Sequence, residues 1–159
     1  MSAAELPLDA GFADAYNKLK HKRTINTIVL KVDQGEIKIV RADKMESLPK
    51  VVEVLDDNHC CFIVYSLQGE SEDGLIRMER IFTITYTPVM AKLDEKLIYE
   101  MQKGKQISKC TRGAIEIHVS TKDDLRRKIN GVSFGASKAK KDERESDEDD
   151  DGGKNWMDD

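Results

Sequence analysis

The sequence predicts an α+β fold: a central mixed β-sheet flanked by helices on both faces, followed by a disordered acidic C-terminal tail. Three observations carry this. Residues 60–67 (CCFIVYSL) are apolar on both parities, the pattern of a strand buried on both faces and so central in a sheet. Helical and extended periodicities alternate over residues 9–131 in the order α-β-β-α-β-β-α-β-α. Residues 132–159 are poor in apolar side chains and cannot offset the entropy of ordering. The expected organisation is a flexible N-terminus (1–8), one domain (9–131) and a disordered acidic tail (132–159).

Residues 9–20 read as a helix, because Phe12, Ala15, Tyr16 and Leu19 share a face and Lys18, Lys20, Lys22 and Arg23 favour its C-terminal dipole. Residues 24–32 and 36–40 read as a hairpin through Asp33-Gln34-Gly35, with Lys31 and Lys38 facing water. Ser47 and Pro49 open a second helix carrying Val51, Val52 and Leu55. After the central strand and an acidic loop (69–74), residues 77–87 (RMERIFTITYT) alternate as the next strand, and Pro88 stops it. Leu93, Leu97, Ile98 and Met101 mark a third helix ending near Gly104. Residues 114–119 (AIEIHV) read as a strand. Ser120 or Thr121 then caps a last helix, acidic at its start and basic at its end, closed by Asn130-Gly131.

The chain has 159 residues, enough for one domain with a core. Residues 138–159 carry a charge of −5 against −4 for the whole chain, which leaves the body at +1. A near-neutral body argues against general nucleic-acid binding. No long apolar run suggests a membrane span, and MSAAELPLDA lacks the basic and apolar regions of a signal peptide, so a cytoplasmic protein is expected. Cys60, Cys61 and Cys110 form no CxxC pair, and buried reduced thiols are expected. The chain is expected to be monomeric.

Enzyme motifs for phosphate, dinucleotide, zinc-protease and serine-hydrolase chemistry are missing from the sequence. His21, His59 and His118 lie in separate elements and read as structural or exposed residues. The run 147–151 lacks the alternating ligands and central glycine of a calcium loop. No enzymatic activity, catalytic residue, metal or cofactor is therefore expected. On the third helix, Lys92, Lys96, Glu100 and Lys103 share one face beside a stripe of Leu93, Leu97 and Met101. Two readings stay open: an amphipathic helix with its charged face in water, or a docking helix whose lysines ring exposed Leu and Met side chains.

The element order together with Phe62-Ile63-Val64-Tyr65-Ser66, Thr87-Pro88-Val89, Glu95-Lys96-Leu97-Ile98-Tyr99 and Ile115-Glu116-Ile117 resembles the actin-depolymerising-factor homology (ADF-H) family. FIVYS, TPV and NTIVLKVD are similar to its glia maturation factor branch, which inhibits the actin-related-protein complex that nucleates branches and dissociates branches. LDAGFADAYNKLK, with Ser2 upstream, is similar to its cofilin branch, which binds actin monomers and filaments and severs filaments. Tyr86 stands where cofilins usually have Trp, and Asp94 where they have a basic residue.

The resemblance implies the ADF-homology fold and an actin or actin-related contact through Ser2, Lys92, Lys96, Leu97 and Lys103. Arg77 and Arg80 would join it from the hairpin that touches filament sides, here with Glu70, Glu72 and Asp73 ahead of them. The tail resembles the acidic, single-tryptophan segment by which branch-nucleation promoters dock, with Trp156, Asp158 and Asp159 as its docking residues and Gly152-Gly153-Lys154 as a departure. Ser2 and Ser146 are candidate phosphorylation sites, Ser2 by resemblance to cofilins and Ser146 because acids follow it. The expected partners are actin, the branching complex or both, at the actin cytoskeleton, with branch-complex inhibition leading and cofilin-like turnover behind it. An acidic-tailed chaperone of basic proteins is the alternative from another class.

Overall fold

A computed structural model describes residues 5–70, 73–75 and 77–131, with no side-chain description at Glu70 and Arg77. The expectations placed on Ser2, Ser146, Trp156, Asp158, Asp159 and the acidic tail lie outside the described residues. The described residues fall into two compact units: 5–67 with 80–129, and 68–79 with 130–131.

The first unit begins with a strap and a cap. Leu8 bridges Ile37 in parallel, while Asp9 Oδ1 accepts from the Gly11 amide and Oδ2 from the Ile39 amide. Those two amides hold the Asp9 carboxyl below its ordinary pKa. They also delay the helix: α1 is Phe12–Asn17, later than expected, and runs on as a π-helical turn, Lys18–Lys22. Arg23, in the left-handed region at φ 57°, ends it. Phe12, Ala15 and Leu19 are buried from this segment, the face expected of it.

β1 (Thr27–Asp33) and β2 (Glu36–Asp43) pair antiparallel. Gln34 (φ 51°) and Gly35 (φ 77°) form the turn, both with the positive φ that matches strand twist in a two-residue hairpin. Lys31 and Lys38 stand opposite each other and are half-buried rather than fully in water. β2 extends three residues beyond the expected end at Val40, to Asp43. α2 (Leu48–Glu53) buries Leu48, Val51 and Val52.

β3 (Cys61–Glu70) is the middle strand of a five-stranded sheet ordered β2-β1-β3-β4-β5, where β4 is Arg77–Tyr86 and β5 is Ile115–Val119. β5 joins β4 in parallel and β1 meets both neighbours antiparallel, so the sheet is mixed. Phe62, Ile63 and Val64 are all buried, as a central strand requires. One parity of the sheet (Ile28, Leu30, Phe62, Val64) packs with Phe12, Leu19, Tyr99 and Ile107 in one core. The opposite parity (Val29, Cys61, Ile63, Tyr65) is buried too.

α3 is Leu93–Gln102 and α5 is Lys122–Asn130. Thr121 is the cap of α5, its Oγ1 accepting from the Asp124 amide at 3.0 Å. Between α3 and β5 stands α4 (Gln106–Cys110), which the periodicity did not reveal. α4 also corrects the cysteine expectation. Cys60 and Cys61 are buried, and burial pushes both thiols up to about 12. Cys110 is exposed, because α4 turns Ile107 inward instead.

In the second unit the Leu75 amide donates to Asp73 Oδ1 at 3.0 Å, and the Leu75 side chain is exposed. β3 persists to Glu70, so the loop expected at residue 69 begins later. Among the described residues no helix is long and apolar enough to cross a membrane.

Candidate functional site

α3 is oriented by its polar side chains. Glu95, Tyr99 and Gln102 lie at i, i+4 and i+7 and so share one face. The Tyr99 hydroxyl accepts from the Val32 amide at 2.7 Å, and its ring sits 4.8 Å from that of Phe62. Burial holds the Tyr99 hydroxyl well above the ordinary phenol range, so it stays neutral. Glu95 Oε2 accepts from the Cys60 amide at 2.6 Å, and Oε1 lies 3.3 Å from His59 Nδ1. Gln102, buried, accepts from the Leu6 amide at 3.0 Å. Each anchor meets a main-chain group that would otherwise lack that partner.

With that face inward, the apolar residues of α3 must point out. Leu93 is 72% exposed, Leu97 48%, and Ile98 and Met101 are exposed as well. Val89 and Met90, from the turn after β4, are exposed ahead of the helix, Met90 at 72%. An unburied apolar stripe on successive helical turns, rimmed by charge, is the form of a protein-docking surface.

The lysines expected around this stripe are there, in unequal roles. Lys92 occupies the N-cap position of α3 and is exposed. Lys96 is half-buried and its Nζ donates to the Val89 carbonyl at 2.9 Å, which ties the Val89–Met90 turn to the helix. Lys103 follows the helix, with Nζ 3.0 Å from Glu100 and 3.2 Å from His118 Nδ1. Leu97 sits at the middle of the stripe. Arg80 lies on β4 and is exposed, while Arg77 opens β4 in the other unit.

Sequence reasoning missed the Glu95–Tyr99–Gln102 face and read His118 only as structural or exposed. The signal for the first was one aromatic residue at i+4 from a carboxylate, opposite an apolar stripe. His118 Nε2 lies 2.7 Å from Thr87 Oγ1, and its Nδ1 lies 3.0 Å from Glu100 Oε2. Partial burial, with Lys103 and Lys128 nearby, outweighs Glu100 and holds its pKa below the ordinary value of 6.5.

Residues 5–130 match the family of cofilin/tropomyosin-type actin-binding proteins. A cofilin of Yarrowia lipolytica is 24% identical over 135 residues, 84% of this chain and 76% of the relative. Among solved structures, a cofilin of Streptomyces griseoflavus superposes with a TM-score of 0.70 at 18% identity, covering 79% of this chain and 98% of that one. The glia maturation factor of Caenorhabditis elegans gives 0.64 at 18% identity, covering 80% of this chain and 97% of that one.

Proposed function

The chain belongs to the cofilin/tropomyosin-type (ADF-H) family of actin-binding proteins, and from that premise we propose that it regulates actin assembly without catalysis, docking an actin-type subunit against α3. The outward apolar stripe of α3 carries this reading. Leu97 and Met101 form its apolar centre, with Lys92 and Lys103 at either end of the helix. Binding favours one geometry of the bound subunit and shifts the population toward it, so no reacting group is required. Cofilin-like turnover of actin, at the cytoplasmic actin cytoskeleton, is the leading form, supported by the cofilin relative and the family match.

A second reading is supported by specific residues. Phe62-Ile63-Val64-Tyr65-Ser66 and Thr87-Pro88-Val89 are shared in pattern with the glia maturation factor branch, and the tail residues Trp156, Asp158 and Asp159 suit a second contact on the branching complex. Asp94, where cofilins have a basic residue, weakens the first reading relative to this one.

Co-sedimentation with actin filaments, with and without the branching complex, tests both. Pelleting with bare filaments supports the cofilin-like form. Pelleting that requires the complex and is lost on deleting residues 146–159 supports the second, and no pelleting in either condition rejects docking on filaments and on the branching complex. Replacing Ser2 by Glu and finding unchanged affinity would remove an N-terminal phosphorylation switch from either form.

A further inference from the structure

Beyond Tyr99, which packs on Phe62, the C-terminal end of α3 rests on little apolar packing. A cavity of about 340 Å³ lies between the segment α3–α4 and the sheet. Gln102, Gly104 and Ile107 line it from the helical side, and Phe62, Ile84 and Ile117 from the sheet side. Such a volume equals that of about eleven liquid waters at about 30 Å³ each. Lining atoms without a partner across a gap lose their dispersion contacts, so packing alone fixes this end of the helix weakly. The helix breaks directly after Gln102, where Lys103 turns extended (ψ 143°) and Gly104 follows at φ 80°.

Residues 5–9 make the contacts that packing does not. The Leu6 amide donates to Gln102 Oε1 on α3 at 3.0 Å, and Glu5 pairs with Lys109 on α4. The same short segment is fastened to the far edge of the sheet. The Asp9 amide donates to the Ile37 carbonyl at 2.8 Å and the Ile37 amide to the Pro7 carbonyl at 2.9 Å. Asp9 Oδ2 accepts from the Ile39 amide. The strap therefore runs from the edge strand β2 to both helices that overhang the cavity.

We infer that residues 5–9 are a strap that sets the position of the docking helix over this cavity, with Gln102 as its positioning residue. The inference rests on the docking reading of α3. Releasing the strap lets the C-terminal end of α3 settle toward the cavity and draws Met101 away from the geometry a partner requires. Changes at residues 5–9 thereby reach the docking surface through the strap.

The test uses Gln102→Met, which keeps length and apolar stem but removes the acceptor. Three measurements are made on the full chain and on a chain beginning at Pro7: thermal melting, amide exchange, and titration with purified actin filaments. In the full chain, Gln102→Met is expected to speed exchange at the Leu6 and Lys103 amides and to weaken filament binding about three- to tenfold, the range of one hydrogen bond. In the chain beginning at Pro7, which has already lost both ties, the same substitution is expected to change both by less than in the full chain. Ile117→Phe, which fills the cavity from β5, is expected to restore part of the lost affinity. Equal losses in both backgrounds, or unchanged exchange and affinity in the full chain, would overturn the strap. If Gln102→Met fails to melt cooperatively, the chain beginning at Pro7 decides alone: its Lys103 amide must exchange faster, and Ile117→Phe must recover binding. Leu97→Ala separates the two levels, because it leaves the strap intact. Unchanged filament binding by that variant sinks the docking reading, and the inference about affinity with it, whatever exchange shows.

Discussion

α3 and α5 are nearly equal in length, at 10 and 9 residues, and both carry apolar side chains at helical spacing. They turn them in opposite directions. α5 has two, Leu125 and Ile129, and both are fully buried. Its arginines form short-range pairs, Arg126 with Asp123 and Arg127 with Asp124, while Lys122 reaches Asp57. α3 has four apolar side chains exposed, and places Tyr99, Gln102 and the partly buried Glu95 against the body of the protein. The difference lies in what fixes the rotation of each helix. α5 follows apolar area, at about 1.5–3 kcal/mol for each large side chain buried. α3 follows hydrogen-bonded anchors, whose part-buried partners would each lose up to about 1–3 kcal/mol if left unmet. An apolar stripe alone therefore does not identify the core face of a helix, and where polar anchors oppose it the stripe is available to a partner.

The largest expected effect separates the two stripes by stability. Leu125→Ala should cost about 2–5 kcal/mol in chemical denaturation, the range of a fully buried leucine. Leu97→Ala should stay within about 0.5 kcal/mol, as an exposed position does. Comparable losses at both sites would place Leu97 in the core and erase the contrast.

Tyr99→Phe sharpens it next. The substitution keeps the ring against Phe62 and strips the acceptor from the Val32 amide, which should cost about 1–3 kcal/mol. A neutral result would mean that apolar contact, rather than the hydroxyl, holds α3.

Much of this contrast was legible in the sequence, and the reasons are local. Residues 60–67 declared a central strand because no parity of theirs could face water. Gln34-Gly35 declared a turn because its backbone region is costly for most residues. α5 was legible because its apolar and charged residues separate cleanly. The stripe of α3 was equally visible, but periodicity gives the angle between faces, not which face is inward. That choice was made by the Val32 and Cys60 amides, which are distant in sequence. α4 escaped because five residues between glycines carry too little periodicity, and with it went the burial of Cys110. On the candidate site, the sequence pointed to Lys92, Lys96, Leu97 and Lys103, but not to the tie from Lys96 to Val89, a main-chain contact no side-chain pattern encodes.

The smallest expected effect is a pH slope at the end of α3. His118 has its pKa lowered on folding, so below the ordinary value of 6.5 the unfolded chain binds more protons than the folded one. Stability should be full above about pH 6.5 and decline as pH falls through the folded value. His118→Gln should flatten that part of the curve, leaving the separate loss from Asp9 below its ordinary 3.8. A wild-type stability that rises on acidification from pH 7 to 5.5 would reverse the sign assigned to His118.

The central claim is that the outward stripe of α3 exists for a partner and not for the fold. Lys96→Ala combined with Leu97→Ala tests it most directly, titrated against actin filaments and against the branching complex, with denaturation of the same preparation. Binding weaker by about 2 kcal/mol or more, with the denaturation midpoint nearly unmoved, is the predicted result. A folded double variant that binds both partners as tightly as the wild type would contradict it.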